Sequence, residues 1–243
     1  MLPLVRKEIN IFLSSITGYV VIIVFLVANS LFMWVFPGEL NILDSGYATL
    51  DTLFLIAPWV FLFLVPAVTM KMFAEEKRSG TLELLLTWPV SDLQIIMAKF
   101  LSGVILVLFS LLPALVYYYS VYQLGSPPGN LDTGGVWGSF AGLFFLASAY
   151  VAIGIFASSI TDNQIVAFIT AVIISFFFYI GFDSIASLPL FSNTEEFIVY
   201  LGINEHYRSM SRGVIDTRDV IYFVSLMAVF ILITRVVLQS RRW

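Results

Sequence analysis

The chain has 243 residues, 60% of them hydrophobic and only 12% charged, with a mean hydropathy of +0.97. A soluble domain carries about 25% charged residues, so most of these side chains need lipid rather than water as their solvent. A formal charge of −4 excludes the basic face that nucleic acid requires, and the absence of cysteine excludes disulfides and thiolate chemistry.

Taken in chain order, residues 2–16 place Leu2, Val5, Ile9, Phe12 and Ile16 at helical spacing, with Arg6, Asn10 and Ser14 mostly on another face. Two readings stand open: a short interfacial helix, or a helical extension of the first span. No cleavable signal is expected, because a small-residue cleavage site is missing and the apolar run is too long. Uncharged stretches then predict six spanning helices near 17–36, 53–72, 99–122, 135–158, 164–182 and 219–238. They are continuously apolar rather than alternating, so the expected fold is an all-α integral membrane protein forming a single transmembrane domain over 1–243. Pro58 and Pro66 are expected to weaken or bend span two, and Pro113 span three.

Six spans put both ends of the chain on one side. Placing them in the cytoplasm puts Arg6, Lys7, Lys71, Lys77, Arg78, Lys99, Arg235, Arg241 and Arg242 inside and leaves Arg208, Arg212 and Arg218 outside. That bias is the positive-inside pattern. The outer connections at 37–51 and 123–134 are expected to be short turns. The one at 183–218 is longer, with apolar pieces at 188–191 and 197–203 that could dip into the outer leaflet or pack as small helices.

Catalytic groups are scarce. His206 is the only histidine, no Gly-x-Ser-x-Gly elbow exists, and no phosphate-binding Gly-Lys pair occurs. If ATP is used, another chain binds it together with Mg; this chain is expected to bind no cofactor or metal and to be no enzyme itself. The centres of the spans hold no ionisable side chain except tyrosine, which disfavours ion transport.

The densest chemistry lies in residues 72–90, MFAEEKRSGTLELLLTWPV, on the cytoplasmic side. Gly80 is a natural break. Residues 81–88 form two turns of expected helix, with Leu82, Leu85 and Leu86 on one side, Leu84 and Trp88 widening the apolar face, and Glu83 and Thr87 on a narrow polar stripe. Pro89 ends it, and Ser91 with Gln94 makes a capping box for the next helix. Such a helix could lie on the inner leaflet or in a protein groove; the acidic pair Glu75 and Glu76 favours the groove, since anionic lipid repels it.

The run from Glu75, Glu76, Lys77, Arg78 through Gly80, Thr81, Leu82 and Glu83 to Leu85, Leu86 and Pro89, followed by Ala98-Lys99-Phe100, resembles the E-x-x-x-G-T-x-x-x-L-L-x-x-P-V pattern of ABC transporter permeases of the second exporter type. Weaker matches throughout the chain, among them Asn41-Ile42-Leu43-Asp44, Ala57-Pro58-Trp59 and Ser211-Arg212-Gly213, resemble the gliding-motility branch of that family, the GldF group of Bacteroidetes. The resemblance implies a separate ABC ATPase subunit (GldA-like) docked at 80–89 and a second permease subunit (GldG-like). It implies that Glu75 and Glu76 stabilise the end of span two or touch the ATPase. Gly80 would set the angle between helices, and Leu82, Leu85 and Leu86 would fill the ATPase groove. Asp162, Asn163 and Gln164 would form a secondary cytoplasmic contact, and the loop after span five would carry re-entrant helices. The expected place is a bacterial inner membrane. Two other readings are a membrane scaffold that anchors an ATPase or motility machine without moving cargo and, more remotely, an intramembrane enzyme.

Overall fold

A computed structural model describes residues 2–82, 90–189, 194–213 and 215–240. Among them the regular structure is helical throughout: α1 (Leu2–Leu13), α2 (Ile16–Ser30), α3 (Ile42–Ser45), α4 (Asp51–Thr69), α5 (Lys71–Arg78), α6 (Asp92–Leu111), α7 (Leu115–Leu124), α8 (Thr133–Ile160), α9 (Gln164–Phe176), α10 (Phe182–Ala186), α11 (Glu195–Val199), α12 (Ile203–Ser211) and α13 (Thr217–Gln239). Six helical segments are long and apolar enough to span a bilayer: Gly18–Val35, Asp51–Arg78, Asp92–Leu124, Thr133–Ile160, Gln164–Ala186 and Thr217–Gln239.

Lipid offers no partner for backbone groups, so each end must be satisfied locally. Asp132 Oδ1 accepts from Gly135 N–H, Asn163 Oδ1 from Ile165 N–H and Asp216 Oδ1 from Arg218 N–H, which start α8, α9 and α13. The predicted capping box is present: Gln94 N–H donates to Ser91 Oγ, and Ser91 N–H donates to Gln94 Oε1. It starts α6 at Asp92, seven residues ahead of the expected span.

α8 is the axis of the fold. Its 28 residues give a rod of about 42 Å. It packs against α4, α5, α6, α9, α12 and α13. Its apolar window is 78% buried, against 22%, 22% and 17% for spans one, five and six. Those three spans therefore carry most of the outward-facing apolar surface. The crossing of α8 with α4 is unusually close. A Cβ on Gly154 would lie 2.0 Å from Thr69 Oγ1, so only glycine fits there.

The first open question of the N-terminus resolves into two helices. α1 ends at Leu13, Ser15 is extended (φ −95°, ψ 147°), and α2 restarts at Ile16. α1 folds back onto α6, burying Leu4 and Val5 and leaving Arg6, Lys7 and Asn10 exposed. Pro113 does interrupt span three, separating α6 from α7. Pro58 and Pro66 do not interrupt span two: α4 runs through both, and the break comes later, at Met70. Spans one and five each contain a π-helical turn, at Leu31–Val35 and Phe177–Gly181.

Among its described residues the long outer connection takes one of its two expected forms, small packed helices. Three short helices occupy it, and the one that matters, α12, was not foreseen. α12 buries Ile203, His206, Tyr207 and Met210 against α8 and α13. Tyr207 donates its hydroxyl to the Phe54 carbonyl at 2.7 Å, tying the outer helix to the start of span two. Burial pushes that phenol well above its ordinary range, so it stays a neutral donor.

Candidate functional site

The charged residues singled out in 72–90 converge with three other parts of the chain at one end of the bundle. α5 continues span two beyond Met70 and packs against both α8 and α9. The break would leave the amides of Phe73 and Ala74 without intrahelical partners. Ser158 of α8 supplies them: its Oγ accepts from Phe73 N–H at 2.9 Å and from Ala74 N–H at 3.0 Å, and donates to Met70 O at 2.9 Å. Lys77 extends the same seam, its Nζ donating to Ser159 O. A single small polar residue on α8 thus sets where α5 leaves the axis of span two.

Lys99 is the second anchor. It sits two turns into α6, only 2% exposed, with Nζ 2.9 Å from Glu76 Oε1 and 3.1 Å from Glu8 Oε1. The Phe73 ring centroid lies 5.0 Å from the same ammonium. One cation therefore joins α1, α5 and α6. Burying an ammonium costs several kcal/mol, and here two carboxylates and an aromatic face offset it.

Of the acidic pair, Glu76 is turned inward to Lys99, whereas Glu75 is exposed. Glu76 therefore ties α5 to α6 through Lys99, while Glu75 stays outside that cluster. Arg78 and Thr81 are exposed as well. Gly80 has φ +70°, a left-handed conformation that L side chains rarely adopt, and it ends α5 as expected. Ser79 Oγ donates to Glu75 O and contacts Thr81 Oγ1 at 2.8 Å, which holds the turn. Leu82 departs from expectation. It is 8% exposed and belongs to this chain's own core, so its side chain is not displayed for a partner's groove. Its neighbour Glu83, together with Leu85, Leu86 and Pro89, lies outside the described residues.

The second turn, Asp162–Asn163–Gln164, joins α8 to α9 at this same end, where α5 packs on both helices. Asp162 and Asn163 are exposed and Gln164 is half-buried. The structure therefore brings the described part of the first region, residues 75–82, and this turn to one end of the bundle. Sequence reasoning missed Glu8, Ser158 and Ser159. Glu8 carried a signal, as the acidic residue beside Arg6-Lys7 in an otherwise amphipathic helix. The serines carried none, since small residues in a span are usually packing residues.

A family model described as ABC-2 family transporter protein matches residues 45–241, which cover most of the chain. The chain belongs to the ABC-2 transporter family. It is a permease-type, multi-pass membrane component of an ABC transporter, and membership implies an ABC ATPase as partner. No curated protein matches the permease. The convergent end of the permease holds the described part of its family motif, residues 75–82.

Proposed function

We propose that this chain is the membrane-spanning subunit of an ATP-driven exporter in a bacterial inner membrane, with the ATPase docking on residues 75–89 and on Asp162–Gln164. The observation that carries this is the double anchoring of α5. Ser158 and Lys77 fasten it to α8, while Glu76 fastens it through Lys99 to α1 and α6. A push on the Gly80 turn would thus move α5 with the central helix and the N-terminal helix as one body, as a lever for ATP-driven switching must. Arg78 and Thr81 are exposed groups on that lever, and Leu85 and Leu86 complete the surface by family pattern. ATP and Mg would sit in the partner ATPase.

The gliding-motility assignment, with a GldA-like ATPase and a GldG-like second permease, rests on the distributed sequence matches alone. Within the proposal it names the first partners to test.

The experiment is co-purification with the candidate ATPase and ATP hydrolysis in reconstituted vesicles. Gly80→Pro forces φ to about −65°, against the +70° of this turn, and Leu85→Asp charges the expected groove-filling position. Both variants are expected to insert normally and to lose ATPase binding or stimulation. Undiminished binding and stimulation in both would end the docking proposal. Intact coupling without transport of any cargo would favour the scaffold.

A further inference from the structure

A cavity of about 650 Å³ opens between α1, α5 and α6, beside the Lys99 cluster. Its volume is in the range of small-molecule sites. Its rim carries Lys7, Lys71 and Glu75, and its floor is apolar, with Phe12, Val68 and Leu106. These same three floor residues also line a narrow apolar furrow that continues between α2, α4 and α6 past Val21, Phe61 and Val107. The apolar floor of the chamber is thus shared with this furrow, which itself has room for only about 20 Å³.

The charges of the chamber divide in two. Lys99, Glu8 and Glu76 satisfy one another. Lys7, Lys71 and Glu75 make no ion pair with any described residue. Two cations suit a phosphate diester, and one carboxylate suits an ammonium. Three lysines against three glutamates leave the lining without net charge. An anionic headgroup would meet Glu75 as a like charge, whereas a zwitterionic one would not.

We propose that this chamber is a binding site for one zwitterionic aminophospholipid of the leaflet that α1 borders. Lys7 and Lys71 hold its phosphate, Glu75 holds its ammonium, and the start of an acyl chain rests on the apolar floor of Phe12, Val68 and Leu106. The bound lipid fills the gap between α1 and the lever helix α5. This rests on the six helices spanning a membrane and not on the exporter reading, so lipid retention tests it without any transport assay.

The full chain is purified in detergent, exposed to mixed phosphatidylethanolamine and phosphatidylglycerol vesicles, re-extracted and examined by native mass spectrometry and lipid quantification. Wild type is expected to retain phosphatidylethanolamine preferentially. Lys7→Glu with Lys71→Glu is expected to lower that retention by about tenfold. Arg6→Glu is the control, because Arg6 is exposed on the same helix and does not line the chamber. Should the charge reversal fail to fold, Lys7→Gln with Lys71→Gln carries the same test. The proposal is overturned if the folded double variant retains lipid as wild type does, or if Arg6→Glu loses as much. Preference for phosphatidylglycerol would overturn it, and so would displacement of the lipid when the ATPase binds, which would make the chamber a protein-docking groove.

Discussion

Lys99→Met should release the N-terminal helix from the bundle. The substituent keeps the length of the side chain and removes its charge. What remains are Glu8 and Glu76, each with a side chain only 15% exposed and neither in an ion pair with any other described cation. Glu76 Oε2 is already buried without a hydrogen-bond partner, so the carboxylate has little to fall back on. Breaking a buried pair by removing one partner costs about 3–5 kcal/mol, and two stranded carboxylates on α1 and α5 would also repel one another. The residual exposure lets water recover part of this, so a loss near about 3 kcal/mol is expected. Replacing the whole cluster, with Lys99→Met, Glu8→Gln and Glu76→Gln together, should recover most of the loss, since apolar or neutral replacements of buried ion groups are often neutral. Reversible unfolding in mixed micelles measures the free energies. Proteolysis between Leu13 and Ile16 reports the release of α1. If the single variant is as stable as wild type, the cluster is not holding the helices. If the triple variant is no better than the single, the loss comes from packing rather than stranded charge.

Ser158→Ala should strand the buried amides of Phe73 and Ala74, at a cost of about 2 kcal/mol or more. Hydrogen exchange should then rise at α5 while the rest of span two stays protected; unchanged exchange there would show that Ser158 does not set the break. At the opposite end, His206 bridges Asp219 at 2.7 Å and the Tyr200 carbonyl at 2.9 Å, with the Tyr222 ring stacked at 3.8 Å. A carbonyl only accepts, so Nε2 carries a hydrogen and Nδ1 faces the carboxylate. His206→Leu should leave Asp219 buried and unpaired and cost about 3–5 kcal/mol, and adding Asp219→Leu should restore much of it. Equal stabilities across that pair of variants would refute the bridge.

The contrast between these sites shows what could be read without coordinates. Six spans, the capping box at Ser91 and the turn at Gly80 were legible because each depends on a few neighbouring residues: a run of apolar side chains, a serine three before a glutamine, a glycine after a helix end. Pro113 was legible as a break for the same reason. Pro58 and Pro66 leave α4 unbroken because span two is packed along α8, and tertiary contact keeps a helix continuous where isolated propensity would not. Leu82 misled because helical spacing names an apolar face without saying which partner covers it; here the chain's own core does. α12 was missed because its run is polar in sequence, and its burial depends on contacts with α8 and α13 far along the chain.

By itself, then, the sequence determined the solvent of this protein, its six long apolar helices and, through the motif at 75–89, its kinship. Those depend on composition and local order, which survive without a fold. Only the tertiary structure decided that Glu76 faces Lys99 while Glu75 faces outward, that Ser158 fixes the angle of α5, and that His206 is a strut beside Asp219. Lys99 lies 91 residues from Glu8, and Ser158 lies 85 from Phe73. Contacts over such distances exist only once α8 has gathered the other helices around it.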